Sequence, residues 1–148
     1  MNTDRSPVSR NADCPNQRIF ISSTILRMFN VPVTADEVCD FARTLPGINE
    51  GFVRGNVKFR IKRIVWLSVR PDGSRMGFAF PKYLREALVH SDPEKFSLPS
   101  EGDMRYHWAH VRLDAIDAQE MRELVEDAWS FCAPQWAVDE YRRTISAR

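Results

Sequence analysis

Asn56-Val-Lys-Phe-Arg-Ile-Lys-Arg-Ile-Val-Trp-Leu-Ser-Val-Arg-Pro-Asp-Gly-Ser-Arg-Met-Gly-Phe-Ala-Phe80 is the stretch from which the fold is read. Val57, Phe59 and Ile61 alternate with Lys58, Arg60 and Lys62, the period of two that marks a strand with one buried face. Ile64 to Arg70 reads as its hairpin partner. Pro71-Asp-Gly-Ser74 is a turn, because Pro presets φ and Gly permits positive φ, and Met76, Phe78 and Phe80 alternate in a third strand. The three strands form a meander.

The first hairpin has two possible registers. A two-residue turn at Lys62-Arg63 pairs Ile61 with Ile64 and puts Trp66 beside Phe59 in the core. A three-residue turn pairs Ile61 with Val65 and leaves Trp66 among Lys58 and Arg60, where an aromatic ring between cations could stack on bases. Lys62-Arg63 lacks the Gly or Asn that a type I′ turn prefers. Both registers stay open, with burial as the expectation.

Upstream, Thr34-Ala-Asp-Glu37 has the form of a capping box, and Val38, Phe41, Ala42 and Leu45 follow at helical spacing before Pro46-Gly47 stops the helix. Downstream, Pro81 opens a second helix with Tyr83, Leu84, Ala87 and Leu88 as its apolar stripe, ended by Asp92-Pro93. His107 to Leu113 alternates again, with Ala109, Val111 and Leu113 opposite Trp108, His110 and Arg112, as a fourth strand. Asp117-Ala-Gln-Glu120 is a second box-like start. Met121, Leu124, Val125, Ala128 and Cys132 then line one helical face, with Glu123, Glu126 and Asp127 on the other. Pro134 opens a terminal helix anchored by Trp136 and Tyr141. Antiparallel strands segregated from helices predict an α+β two-layer sandwich, its helices packed on one face of the sheet.

At 148 residues the chain has room for one domain, assigned to residues 34–148. Residues 1–33, rich in Pro, Asn and Ser, read as a disordered N-terminal extension, and Met28 is a candidate alternative start. The longest stretch without Lys, Arg, Asp or Glu, Ala128 to Val138, contains Pro134 and falls short of the roughly 20 apolar residues of a membrane span. No secretory signal is evident, and no membrane partner is expected. Cys14, Cys39 and Cys132 form no C-x-x-C pair and suit free thiols, which points to the cytoplasm.

Charge is distributed unevenly. Lys plus Arg number 21 against 20 Asp plus Glu, a net of +1, so the whole molecule has no bias toward polyanions. Between residues 51 and 90, however, nine cations face two acids, whereas residues 91–148 hold seven cations and twelve acids. Lys58, Arg60 and Lys62 emerge on one strand face at intervals of roughly 6.8 Å, a row able to follow a phosphate backbone. Equally, any solvent face of a strand carries charge, and Lys and Arg discourage edge pairing.

His107 and His110 are three apart and point to opposite faces of a strand, so they do not form a metal pair, and no metal site is assigned. Glu120, Glu123, Glu126 and Asp127 read as a solvated helix face, with a frataxin-like iron carrier as the least favoured reading. Cys39 and Cys132 read as packing residues. No G-x-S-x-G, P-loop, G-x-G-x-x-G or H-E-x-x-H is present, so no catalytic residue and no cofactor is nominated.

Six blocks carry a resemblance: Thr34-Ala-Asp-Glu-Val38 leading to Leu45-Pro-Gly47, Phe59-Arg-Ile61, Met76-Gly-Phe-Ala-Phe-Pro81, Trp108-Ala-His-Val-Arg-Leu113 and Glu123-Leu-Val-Glu-Asp-Ala-Trp129. Over about Thr34 to Tyr141 the chain resembles the MmcQ/YjbR family. That resemblance implies a CyaY-like, or double-wing, domain and a non-enzymatic DNA-binding role; Lys62-Arg63 stands where the family has a glycine-containing hairpin turn. The expected phosphate contacts are Lys58, Arg60, Lys62 and Arg63, extended by Arg70 and Arg75, with DNA as partner and the chain a monomer or weak homodimer. The alternative is a protein- or small-ligand-interaction module built on an aromatic patch of Trp108, His110, Trp136 and Tyr141.

Overall fold

The computed structural model describes residues 32–147. The expected tail and Met28 fall outside them except for Pro32 and Val33, and Val33 is a correction, since it is buried in the core. Helix α1 spans Ala35–Ala42 behind the full capping box. The Thr34 hydroxyl accepts the Glu37 N–H at 3.1 Å, and the Glu37 carboxylate accepts the Thr34 N–H at 3.0 Å.

Six antiparallel strands follow: β1 Ile48–Val53, β2 Asn56–Ile61, β3 Ile64–Val69, β4 Arg75–Phe78, β5 Phe96–Ser97 and β6 Ala109–Arg112. They lie in the order β1-β2-β3-β4-β6-β5. Between β4 and β5 come a 3₁₀ turn, Lys82–Leu84, and helix α2, Arg85–Ser91; after β6 come α3, Ala118–Cys132, and α4, Gln135–Ser146. The architecture is the α+β sandwich read from the pattern, with β1 and β5 added at the two edges.

β1 is held by the hairpin to β2. Arg54 and Gly55 between them take φ of 54° and 82°, the left-handed pair of a type I′ turn. The β2–β3 turn is the two-residue form: Ile61 pairs with Ile64, and Lys62 takes φ 56°. A bulge then intervenes, because Arg60 pairs with Val65 whereas Phe59 pairs with Leu67. Trp66 is the extra residue. It is fully buried, with its ring 6.1 Å from that of Phe59.

Trp66 joins Phe59, Leu67, Met76 and Phe78 on the core face of the sheet, beneath Met121, Val125, Ala128 and Trp129 of α3. Asp117 caps α3 by accepting the Glu120 N–H at 2.8 Å. The reciprocal half of the expected box is absent because the Glu120 carboxylate pairs with buried Lys95 at 2.9 Å. Trp129 ties α3 to the end of the first helical segment by donating Nε1–H to the Pro46 carbonyl at 3.1 Å. Trp129→Phe keeps an aromatic ring but leaves that carbonyl without its donor. It should lower stability by about 1–2 kcal/mol, seen as a lower urea midpoint with an unchanged slope.

Two helical expectations need correction. Tyr83 and Leu84 do not form an apolar stripe, being 76% and 50% exposed; the residue turned inward is Arg85. A 3₁₀ turn advances three residues per turn rather than 3.6, so the phase of α2 is shifted from that of one continuous helix begun at Pro81. Trp136 does not anchor α4 either. It is 59% exposed, and Ala137 and Val138 are the buried residues of that helix.

Candidate nucleic-acid interface

Residues directly opposed in antiparallel strands share a face, so the pairing defines the surface that the helices leave uncovered. One transverse row runs Gly51, Lys58, Ser68, Gly77, His110 and Ser97. Two residues farther along β2, Arg60 projects on the same side. The two glycines give room for larger neighbours. A Cβ on Gly51 would meet Arg60 Nη1 at 3.7 Å, and one on Gly77 would meet three atoms of the Trp108 indole at 2.6–2.8 Å. Trp108 therefore lies over the open face at Gly77.

Lys62 and Arg63 are exposed at the tip of the β2–β3 hairpin. Arg70 and Arg75 lie at the opposite end, flanking the β3–β4 turn, so the six expected cations form a stripe along β2 of about 20 Å rather than a compact cluster. Among the described residues none of the six is within 4.0 Å of a carboxylate oxygen; the ion pairs there belong to Arg43, Lys95 and Arg112. Arg43 instead grips Glu50 through two contacts of 2.8 Å, which holds the Glu50 carboxyl below its ordinary range. Two other cations of the basic segment are used elsewhere. Lys82 donates to the Arg105 carbonyl, and Arg85 is buried under the 104–108 loop.

At the Arg70–Arg75 end the face sinks into a cleft of about 590 Å³ between the β1–β2 and β3–β4 turns. Arg54, Asn56, Ser68, Arg70, Asp72, Arg75 and His110 line it. Burial pushes the His110 imidazole below its ordinary pKa, and Arg75, Arg70 and Lys58 push the same way against Asp103. Asp72 is held below the usual carboxylate range mainly by the Ser74 N–H, which it accepts at 2.9 Å within the turn. Arg54, Asn56 and Ser68 are not among the residues that the sequence singles out as contacts; Arg54-Gly55 is the one local signal, as a hairpin turn, that brings Arg54 here.

The aromatic patch does not assemble. Trp108 and His110 are on the open face, whereas Trp136 and Tyr141 belong to α4 in the helical layer. Tyr141 packs edge-on against Trp129 at 5.3 Å and donates its hydroxyl to Glu126 at 2.7 Å. His107 diverges from His110, accepting the Lys82 N–H at Nδ1 and meeting the Phe131 ring at 5.3 Å. The acids of α3 are likewise dispersed: Glu120 holds Lys95, Glu123 accepts from Gln119, and Glu126 accepts from Tyr141.

An antiparallel sheet with helices packed on one side, and on the other a row of cations that make no ion pair among the described residues, is an α+β two-layer fold. A model of the YjbR family matches residues 43–131, and the chain belongs to that family. Among solved structures, the Deinococcus radiodurans protein DR2400, described by a DUF419 domain, is similar with a TM-score of 0.57. It is 20% identical over 65% of this chain and 75% of its own, a likeness of fold alone. No curated protein matches the chain. Among the described residues no helix is long and apolar enough to cross a membrane.

Proposed function

We propose that this protein binds DNA without catalysis, laying the open sheet face and the β2–β3 hairpin, as a wing, along the phosphate backbone. The observation that carries the reading is that Lys58 and Arg60, both half-buried, project from the side of the sheet opposite the described core helices with no carboxylate within ion-pair distance among the described residues. Lys62 and Arg63 prolong that row at the hairpin tip, and Arg70 and Arg75 prolong it at the far end. Phosphate contacts of this kind supply affinity and orientation and carry no base preference. The free thiols of Cys39 and Cys132 agree with a reducing cytoplasm as the setting.

Fluorescence anisotropy on a labelled duplex over a salt series tests the proposal. Wild-type affinity should fall with a log–log slope of about −0.9 per phosphate neutralised. Lys58→Glu/Arg60→Glu should weaken binding by at least about tenfold and flatten the slope by about two phosphates' worth. Undiminished affinity in that variant would reject the open face as the interface.

A further inference from the structure

We infer that the cleft between the β1–β2 and β3–β4 turns is a binding site for a phosphomonoester group. Three guanidinium side chains, Arg54, Arg70 and Arg75, line one cavity that contains a single carboxylate, Asp72. A stretched phosphodiester carries one negative charge per phosphate and needs only one of them. A phosphomonoester carries close to two charges near neutral pH and has three acceptor oxygens, which suits a cluster of guanidinium forks.

A second, independent feature of the floor points the same way. Ser68 lines the cleft and its side chain makes no hydrogen bond among the described residues, so its hydroxyl is open to whatever occupies the cavity. A hydroxyl that faces the cavity can donate to a phosphate oxygen, adding a neutral donor to the guanidinium forks. Asn56 and His110 also line the cleft with no side-chain hydrogen bond among the described residues, so three polar groups and three cations share one cavity wall. The volume of about 590 Å³ exceeds what a lone phosphate fills and falls within the range of small-ligand clefts, so a body of roughly nucleoside size has room beside the anion. Burial is the main cause of the depressed His110 pKa and the cations add to it; a bound dianion would offset the cations' share and should raise it.

The inference does not require the hairpin to bind DNA, and the two can fail separately. The same phosphomonoester could come from a free mononucleotide or from the end of a nucleic-acid strand, and the probes distinguish these sources. Amide chemical-shift mapping and calorimetry on the full chain would use AMP, adenosine, inorganic phosphate, and one oligonucleotide with and without a terminal phosphate. AMP should bind, moving Ser68, Gly77 and His110 and raising the His110 pKa, while adenosine should not. Arg70→Gln/Arg75→Gln should weaken AMP binding by about tenfold or more. Ser68→Ala, a milder change, should weaken it several-fold with the fold intact. Lys62→Glu/Arg63→Glu should leave AMP binding unchanged while weakening duplex binding. A terminally phosphorylated oligonucleotide that displaces AMP better than its unphosphorylated twin assigns the strand end; equal, weak competition by both assigns the free mononucleotide. Failure of AMP and phosphate to bind at millimolar concentration, or AMP binding unaffected by both cleft variants, would overturn the inference whatever the duplex does.

Discussion

Arg85→Met should destabilise the protein by about 3 kcal/mol and loosen the segment that carries Trp108. Arg85 is 4% exposed, and no carboxylate lies within ion-pair distance of it among the described residues. Its charge is met by carbonyl dipoles instead: Nη1 donates to Tyr106 O and Trp108 O, each at 3.0 Å, and Nη2 donates to Met104 O at 2.8 Å. Nε has no partner. Hydrogen bonds to a charged donor contribute roughly 1.5–3 kcal/mol each, so a plain sum would exceed the expected loss. The loss is smaller because removing the guanidinium also removes the penalty of burying it, and because the carbonyl of exposed Tyr106 can return to water. Arg85→Lys should restore less than half of the stability, since a lysine ammonium cannot present a planar fork to three carbonyls. Urea unfolding measures both. An Arg85→Met midpoint equal to wild type would mean that the 104–108 segment is held by other contacts.

Arg85 also shows where sequence pattern stops being informative. The meander and the core face of α3 are legible because each is encoded in its own segment, by a period of two or of 3.6 in its apolar residues, whereas the side taken by Trp66 depends on the turn at Lys62-Arg63 and on register. β1 and β5 are not legible for the same reason. Asn49, Glu50 and Gly51 break the alternation of β1, whose half-exposed edge position makes little demand on its side chains, and β5 has two residues and therefore no period. A cation at the start of α2 gives no sign that it will be enclosed, because its partners are carbonyls 19 to 23 residues away.

The candidate site divides along the same line. That Lys58 and Arg60 share a face follows from β2 alone. The cleft needs Arg54, Ser68, Arg75 and His110 from different parts of the sheet, and their meeting depends on register. Without the bulge at Phe59/Arg60, the two-residue turn would place Lys58 opposite Leu67; with it, Lys58 faces Ser68, and Leu67 turns to the core. One inserted residue thus moves a leucine off the open face and a hydroxyl onto it. Nothing in the apolar pattern of either strand announces that insertion.

Gly77→Ala should cost about 1–2 kcal/mol, although alanine is ordinarily the better strand residue by roughly 0.5–1 kcal/mol. The glycine is not required for its backbone, since its φ lies outside the positive range. It is required because an added Cβ would sit 2.6 Å from Trp108 Cζ2, 2.7 Å from Nε1 and 2.8 Å from Cε2, separations that a rigid indole can relieve only by swinging away from the sheet. Gly77→Val should be worse by a further 1 kcal/mol or so, as the branched side chain enlarges the same collision. A double-mutant cycle separates this cause from a general intolerance of β4. In a Trp108→Ala background the collision is gone, and Gly77→Ala should become neutral or stabilising, giving a coupling energy of about 2 kcal/mol. Equal destabilisation in both backgrounds would show that Trp108 does not impose the glycine. The consequence reaches the site, because Gly77 lines the cleft and lies between Ser68 and His110 in the transverse row. Glycine at the crossing point lets the indole lie against the sheet beside the cations, so one missing methyl group sets both the packing of Trp108 and the shape of the surface offered to a ligand.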